Sequence, residues 1–283
     1  MFFNISSGSI QGIFYFVYLA CIKPIFMKSV KETLLTRTSV RRYTREPLSQ
    51  EQTDFIFEAI RNSPTSYNGQ QFSVVAVSDV VLKEELYALT GQKQIKTCAL
   101  FLVFCADYHK LALFARHNQL PFPRFTDTLD GVLVGVIDAA MAMQNAATAA
   151  HSQGLGSCCI GYTRTAAPKP IAELLGLPEG VFVVCGLSIG HPAEFPEVKP
   201  KQPVSMVIHG NHYRSDDMAA DLQQYNALIT EYNCQRAGDK TLNDWGAHIL
   251  NYHAEAARHR LEGYLADQGF HLQNAFLNAK EIE

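Results

Sequence analysis

Thr36-Arg37-Thr38-Ser39-Val40-Arg41-Arg42-Tyr43 is the stretch on which the reading of this 283-residue chain turns. From Arg37 to Tyr43 it holds three arginines and, at Thr38 and Ser39, two small hydroxyl residues. An amphipathic segment precedes it and a helix start follows it. Arg37 and Arg41 are four apart, so on a helical turn they share a face. Paired guanidiniums with neighbouring hydroxyls and backbone N–H groups suit a phosphate better than a carboxylate, because their forked donors match phosphate oxygens. Taken alone, the same string also reads as a solvated basic turn. The rest of the chain decides between the two.

Working outward toward the N-terminus, Ile13 to Ile22 is an unbroken apolar run of ten residues. That is too short to span a bilayer as a helix. It has the length of a signal-peptide core, but no Lys or Arg precedes it. Three readings compete: an export or anchor segment, an extra packed helix, or translated upstream sequence with the start at Met27. The last is preferred, because Met27-Lys28-Ser29-Val30-Lys31-Glu32 opens like an ordinary cytosolic helix. Residues 1–27 are thus expected to be an extension outside the folded domain.

Bulk properties narrow the function classes. Hydrophobic residues make up 47% of the chain and charged residues 18%, enough for a sizeable core. A formal net charge of −3 argues against a nucleic-acid binder driven by overall charge, while leaving room for a local basic pocket. The seven cysteines are odd in number and show no CxxC or Cys/His ligand spacing. They read as a reduced, cytosolic set of mostly buried thiols, with no structural zinc site.

Toward the C-terminus, Ser49 followed by Gln52 is a capping-box signature and opens a helix from Gln50 to about Asn62. Phe72–Val77 reads as a strand, Leu82–Leu89 as a helix, Thr90–Gln94 as a turn, and Ala99–Ala106 as a central strand buried on both faces. A helix and a mobile loop near Pro121-Phe122-Pro123 are expected between 108 and 130. Val132–Ser152 is a long helix whose alanines allow close packing in a core or subunit interface. A strand and turn at Gly154–Tyr162, a helix at Pro170–Leu175 and a strand at Val181–Gly190 follow. Val204–Ile208 is expected to add an edge strand. The remainder from about Asp216 is mostly helical. Loosely alternating helices and strands give a single α/β or α+β domain with a C-terminal helical arm.

A second basic pair, Lys199 and Lys201, lies in a proline-studded loop and is able to converge with Arg37 and Arg41 on one phosphate. Thr65, Ser66, Asn68 and Gln70 offer short polar groups just before a strand, where turn chemistry alone also accounts for them. Gly154-Leu155-Gly156 lacks the third glycine and the acidic partner of a dinucleotide fingerprint. No nucleophile–base pair or metal cluster stands out.

Taken together, these residues resemble the flavin-dependent nitroreductase family, in its oxygen-insensitive, NADPH-preferring class. The resemblance runs from about Val30 to about Leu265. It rests on Arg37–Tyr43 with Thr44-Arg45-Glu46-Pro47-Leu48, on Leu89–Lys93, on Gly154–Gly161, and on Gly190-His191-Pro192-Ala193 through Lys199-Pro200-Lys201-Gln202-Pro203. It implies a three-layer α+β fold with a central mixed, mostly antiparallel sheet, and a single FMN-binding domain over residues 28–283. It implies that Arg37, Arg41, Lys199 and Lys201 hold the FMN phosphate and ribityl chain, with Thr38 and Ser39 adding contacts. Thr65, Ser66 and Tyr67 would come from the partner of a homodimer whose flavin site spans the interface. Gln92 would lie near the ribityl or pyrimidine end. Cys159, Ile160 and Gly161 would edge the isoalloxazine ring, and Arg236 would meet the 2′-phosphate of NADPH.

Lys201 replaces the arginine usual in that class. Ser157 and Tyr162 stand where it commonly has glycines, and a second family arginine falls at Thr241. The implied reaction is ping-pong: NADPH passes a hydride to the flavin and leaves, and a nitroaromatic or quinone then takes two electrons. An NAD(P)H:flavin reductase is the alternative enzyme. A flavin-binding redox sensor using Cys158-Cys159 is the alternative of a different class. The protein is expected in the cytoplasm, with neither nucleic acid nor membrane as partner.

Overall fold

The computed structural model describes residues 27–237 and 244–272. The expectations for residues 1–26 and for Thr241 lie outside the described residues. At the centre is a sheet of four strands, β1 (Phe72–Val77), β2 (Leu100–Asp107), β3 (Gly156–Ile160) and β4 (Val181–Gly190), in the order β1-β2-β4-β3. Every ladder is antiparallel. Among the described residues the parallel component is the bridge between Ser39 and Ser157.

Strand periodicity explains the three layers. Along β2, Leu100, Leu102, Phe104 and Ala106 enter one core cluster, while Phe101, Val103 and Cys105 enter the other. Every residue of β2 is buried, as the unbroken apolar run required. In β4 the register against β2 slips between Phe104 and Cys105, whose partners are Cys185 and Val183. Val184 is therefore the extra residue of a bulge, and Val184 and Cys185 both face the first cluster. Beyond the bulge, Gly186 and Ser188 turn to the opposite side.

The first cluster is covered by α2 (Gln50–Arg61) and α6 (Leu129–Ser152). Ser49 caps α2 in a reciprocal capping box: Ser49 Oγ accepts from Gln52 N at 3.1 Å, and Gln52 Oε1 accepts from Ser49 N at 2.9 Å. Ser49→Ala is expected to lower stability by about 1 kcal/mol, read as a small fall in the thermal midpoint with unchanged helical circular dichroism. In α6, Ala139, Ala142, Ala146 and Ala150 are fully buried, so the apolar length of this helix is accounted for by packing on the sheet. The second cluster is covered by α3 (Val80–Thr90), α4 (Lys93–Thr97), α7 (Tyr162–Thr165) and α8 (Pro168–Leu174). The remaining helices are α1 (Val30–Thr36), α5 (His109–His117), α9 (Met218–Ala237), α10 (Trp245–Ala256) and α11 (Glu262–Asp267), the last three forming the C-terminal arm.

Two expectations are corrected. Thr90–Gln94 is not merely a turn. Gly91, at φ 68°, closes α3, and α4 then begins at Lys93 because Ile95 is drawn wholly into the second cluster. Val204–Ile208 is not an edge strand. Val204–Met206 forms a 3₁₀ turn after Pro203, with Ile208 N donating to Val204 O at 2.8 Å. Val204 and Ile208 are exposed, and among the described residues no strand lies beside them to supply a ladder.

Candidate cofactor-binding site

The arginine stretch is extended, not helical. α1 ends at Thr36, and Arg37 already has φ −61° and ψ 130°. Arg37 and Arg41 still share a side, because alternate residues of an extended chain point the same way. Val40 N donates to Ser157 O at 2.9 Å, which lays the stretch along the outer edge of β3. Gly156 permits this approach, since a Cβ there would lie 2.7 Å from Val40 Cβ.

The other flank is pinned to the loop after β4. Thr44 N donates to His191 O and Ala193 N to Arg42 O, both at 2.9 Å. Glu194 Oε1 accepts from Arg41 N at 2.7 Å and from Arg42 N at 3.2 Å. Tyr43 Oη lies 2.7 Å from Val40 O and 2.8 Å from Ser188 Oγ, and burial pushes its pKa up, so it stays neutral. The backbone is held from both sides and the Arg37 and Arg41 side chains are left to face a cleft.

That cleft has a volume of about 310 Å³. Arg37, Thr38, Ser39 and Arg41 form one wall, and Pro196 to Lys199 with Lys201 form the other. Tyr232 of α9 also lines it. The two basic loops, far apart in sequence, converge as their composition suggested. Glu194, Pro196, Val198 and Tyr232 were missed by the sequence reading. Arg236 stands one helical turn beyond Tyr232 on α9; its side chain lies outside the described residues.

The other expected residues do not line this cleft within one chain. Cys159, Ile160 and Gly161 end β3, two to four positions past the residue bridged to Ser39. Cys159 and Gly161 are exposed and Ile160 is buried. Desolvation holds the Cys158 and Cys159 thiols above their ordinary pKa, against the lowering pull of Arg41 on the first and Arg37 on the second. Cys98, Cys105 and Cys185 are buried, as expected of such thiols. Gln92 precedes α4, and its Oε1 accepts from Gln94 Nε2 at 2.9 Å.

Thr65, Ser66 and Tyr67 lie on the loop between α2 and β1. Tyr67, Asn68 and Gln70 there have φ of 51°, 54° and 52°, and Tyr67 is wholly exposed. Three left-handed non-glycine residues in one short loop are a strained conformation of the kind found at binding sites.

A larger depression of about 470 Å³, between α5 and the chain after α11, holds none of the expected residues. Its Asp127 is already engaged by Arg124 Nε at 2.5 Å and His271 N at 3.3 Å. The convergent cations make the smaller cleft the chemically specific one.

Residues 34–191 match the model of the nitroreductase family. The chain belongs to that family. Residues 199–273 match the family's C-terminal domain, so the helical arm is part of the same assignment. The FMN reductase [NAD(P)H] of Bacillus subtilis (strain 168) is 38% identical over 251 residues, spanning 87% of this chain and 100% of that one. The oxygen-insensitive NADPH nitroreductase of Salmonella typhimurium is 35% identical, spanning 86% and 99%. Among solved structures, the hypothetical oxidoreductase YcnD of Bacillus subtilis superimposes with a TM-score of 0.83 at 36% identity, covering 86% of this chain and 98% of that one. The NADPH:FMN oxidoreductase of Vibrio harveyi, complexed with NAD+, gives 0.74 at 31% identity, covering 86% and 98%. The α+β architecture is thus the family's nitroreductase fold.

Proposed function

We propose that this chain is an FMN-dependent oxidoreductase that passes electrons from NADPH to nitroaromatic or quinone acceptors. The observation that carries the reading is the meeting of Arg37 and Arg41 with Lys199 and Lys201 across one cleft. That donor set fits a phosphate ester: forked guanidiniums and ammonium groups, with hydroxyls of Thr38 and Ser39 between them. When bound, FMN would supply the two-electron redox chemistry that links NADPH to a second substrate in ping-pong order. The chain's own groups bind and orient. Arg37, Arg41, Lys199 and Lys201 would hold the phosphate end, and Cys159 to Gly161 would edge the ring. Gln92 serves the ribityl or pyrimidine end, and Arg236 receives the 2′-phosphate of NADPH. No side chain is assigned as acid or nucleophile.

The working unit is a homodimer with FMN at its interface. Leu129, Leu133, Ile137 and Met141 recur every four residues along α6 and are 40–54% exposed, an apolar stripe suited to a second copy. The partner's Thr65–Tyr67 loop then completes each site. Residues 28–283 act as one FMN-binding domain with residues 1–27 as an extension. The protein works in the cytoplasm on small molecules, without nucleic acid or membrane.

Purified protein should be yellow and should oxidise NADPH when a nitroaromatic is added. Arg236→Ala should raise the KM for NADPH while leaving the KM for the acceptor unchanged. Colourless protein that FMN cannot reconstitute would sink the reading. Relatives named FMN reductase favour a second reading, an NAD(P)H:flavin reductase that releases reduced flavin. Parallel double-reciprocal lines with the nitro acceptor, and a negligible rate with free FMN, select the first. The raised thiol pKa values at Cys158 and Cys159 weigh against a thiolate redox sensor.

A further inference from the structure

One buried acid has no part in the site described so far. Asp138, in the middle of α6, is 1% exposed. Its two oxygens reach both ends of the strained loop: Oδ1 accepts from Ser66 N at 3.0 Å and Oδ2 from Gln71 N at 3.4 Å. Two turns further along the same helix, Asn145 Nδ2 donates to Ser63 Oγ at 2.9 Å and to Ala59 O at 3.3 Å. From the far side, Lys110 Nζ donates to Gln70 O at 3.1 Å and to Phe72 O at 2.7 Å. Within the loop, Gln70 N donates to Thr65 Oγ1 at 3.2 Å.

Left-handed geometry at Tyr67, Asn68 and Gln70 is costly for residues with a Cβ, so something outside the loop must impose it. A buried carboxylate is costly as well unless its oxygens are hydrogen-bonded. Asp138 meets both requirements at once. An alanine-rich helix that needed only to pack would place no acid at this depth.

We infer that Asp138 is a positioning residue for FMN binding: it clamps the Thr65–Gln71 loop in the conformation that presents Thr65, Ser66 and Tyr67 to the flavin site. The inference rests on the proposed flavin function and on that loop entering the partner's site. It adds a physical link between the two, because the helix bearing the exposed apolar stripe is also the splint of the loop.

The test is Asp138→Asn in the full chain, with Ile56→Val as a control that loosens the same core without touching the loop. Asparagine keeps the shape but aims an NH₂ group at one of the two N–H donors. The FMN dissociation constant, read by flavin fluorescence, should rise about tenfold in Asp138→Asn and stay unchanged in Ile56→Val. The Ser66 and Gln71 amides should lose protection from hydrogen exchange in Asp138→Asn alone. Wild-type FMN affinity in Asp138→Asn, or an equal loss in the control, overturns the inference. Should Asp138→Asn not fold, the wild-type holoenzyme decides. Ser66 and Gln71 amides exchanging with the slow amides of α6 support the clamp, and exchange at the rate of open surface amides overturns it. Wild-type protein that takes up no FMN is a different outcome, and it fails the functional proposal itself.

Discussion

Arg41→Ala is expected to yield a folded protein that loses its yellow colour on dialysis. Arg41 is exposed, and its side chain is absent from both core clusters, so truncation leaves the packing intact. What it removes is one forked donor from the wall facing Lys199 and Lys201. The loss of a charge-assisted contact to phosphate in a partly screened cleft should weaken FMN binding roughly 30- to 100-fold. Arg41→Lys keeps the charge and loses the fork, so it should fall between the two. The backbone role of this residue survives in both variants, because Glu194 is held by the Arg41 and Arg42 N–H groups, not by the Arg41 guanidinium. Titration of apo-protein with FMN, alongside circular dichroism, separates binding from folding. An Arg41→Ala protein as yellow as wild type after dialysis would remove the arginine stretch from the cofactor site.

The basic character of the two loops that line the smaller cleft was legible in the sequence, because arginines crowded near hydroxyls and paired lysines are visible without a fold. β2 and β4 were legible for a related reason. Burial on both faces leaves a long apolar run, unbroken in β2 before Asp107 and interrupted in β4 by the polar Ser188. The failures share the opposite property. Val204–Ile208 has strand composition, but its state is decided by whether a neighbouring strand exists, and composition does not report that. Glu194 acts on residues 153 and 152 positions away in sequence, so its capping of the arginine stretch appears only once β4 has brought it there. Tyr232 reads as one more aromatic on a polar helix until the cleft is formed. Asp138 had a local signal that went unread: a lone acid flanked by Ile137 and Ala139 on an otherwise apolar turn. Its burial gave it meaning, and the strained loop it holds was visible in sequence only as a polar turn.

Gly186→Ala should be the most destabilising single methyl group that can be added to this sheet. Gly186 lies just past the β4 bulge and is paired with Val103 on one side and Ile160 on the other. A Cβ there would run into the ring edge of Phe101, lying 2.8 Å from its Cε2 and 2.9 Å from Thr163 Cγ2. Phe101 is wholly buried in the second cluster and has no open side to move toward. Overpacking of this kind costs about 3 kcal/mol, at the upper end of its usual range, because backbone and ring must both yield. For a chain of this size that corresponds to a fall of roughly 6–12 °C in the thermal midpoint. Phe101→Leu alone should cost about 1–2 kcal/mol through lost packing. In the double variant the leucine vacates the space the new methyl needs, so the two losses should sum to clearly more than the measured total. The strain also has a route to the ring end of the proposed site. Ile160 pairs with Gly186 and directly precedes Gly161, so the single variant should bind FMN more weakly even below its melting temperature, and the double variant should recover part of that affinity. Strictly additive losses would mean that the collision is relieved elsewhere. Undiminished FMN affinity in Gly186→Ala would mean that the end of β3 is mechanically independent of the strand beside it.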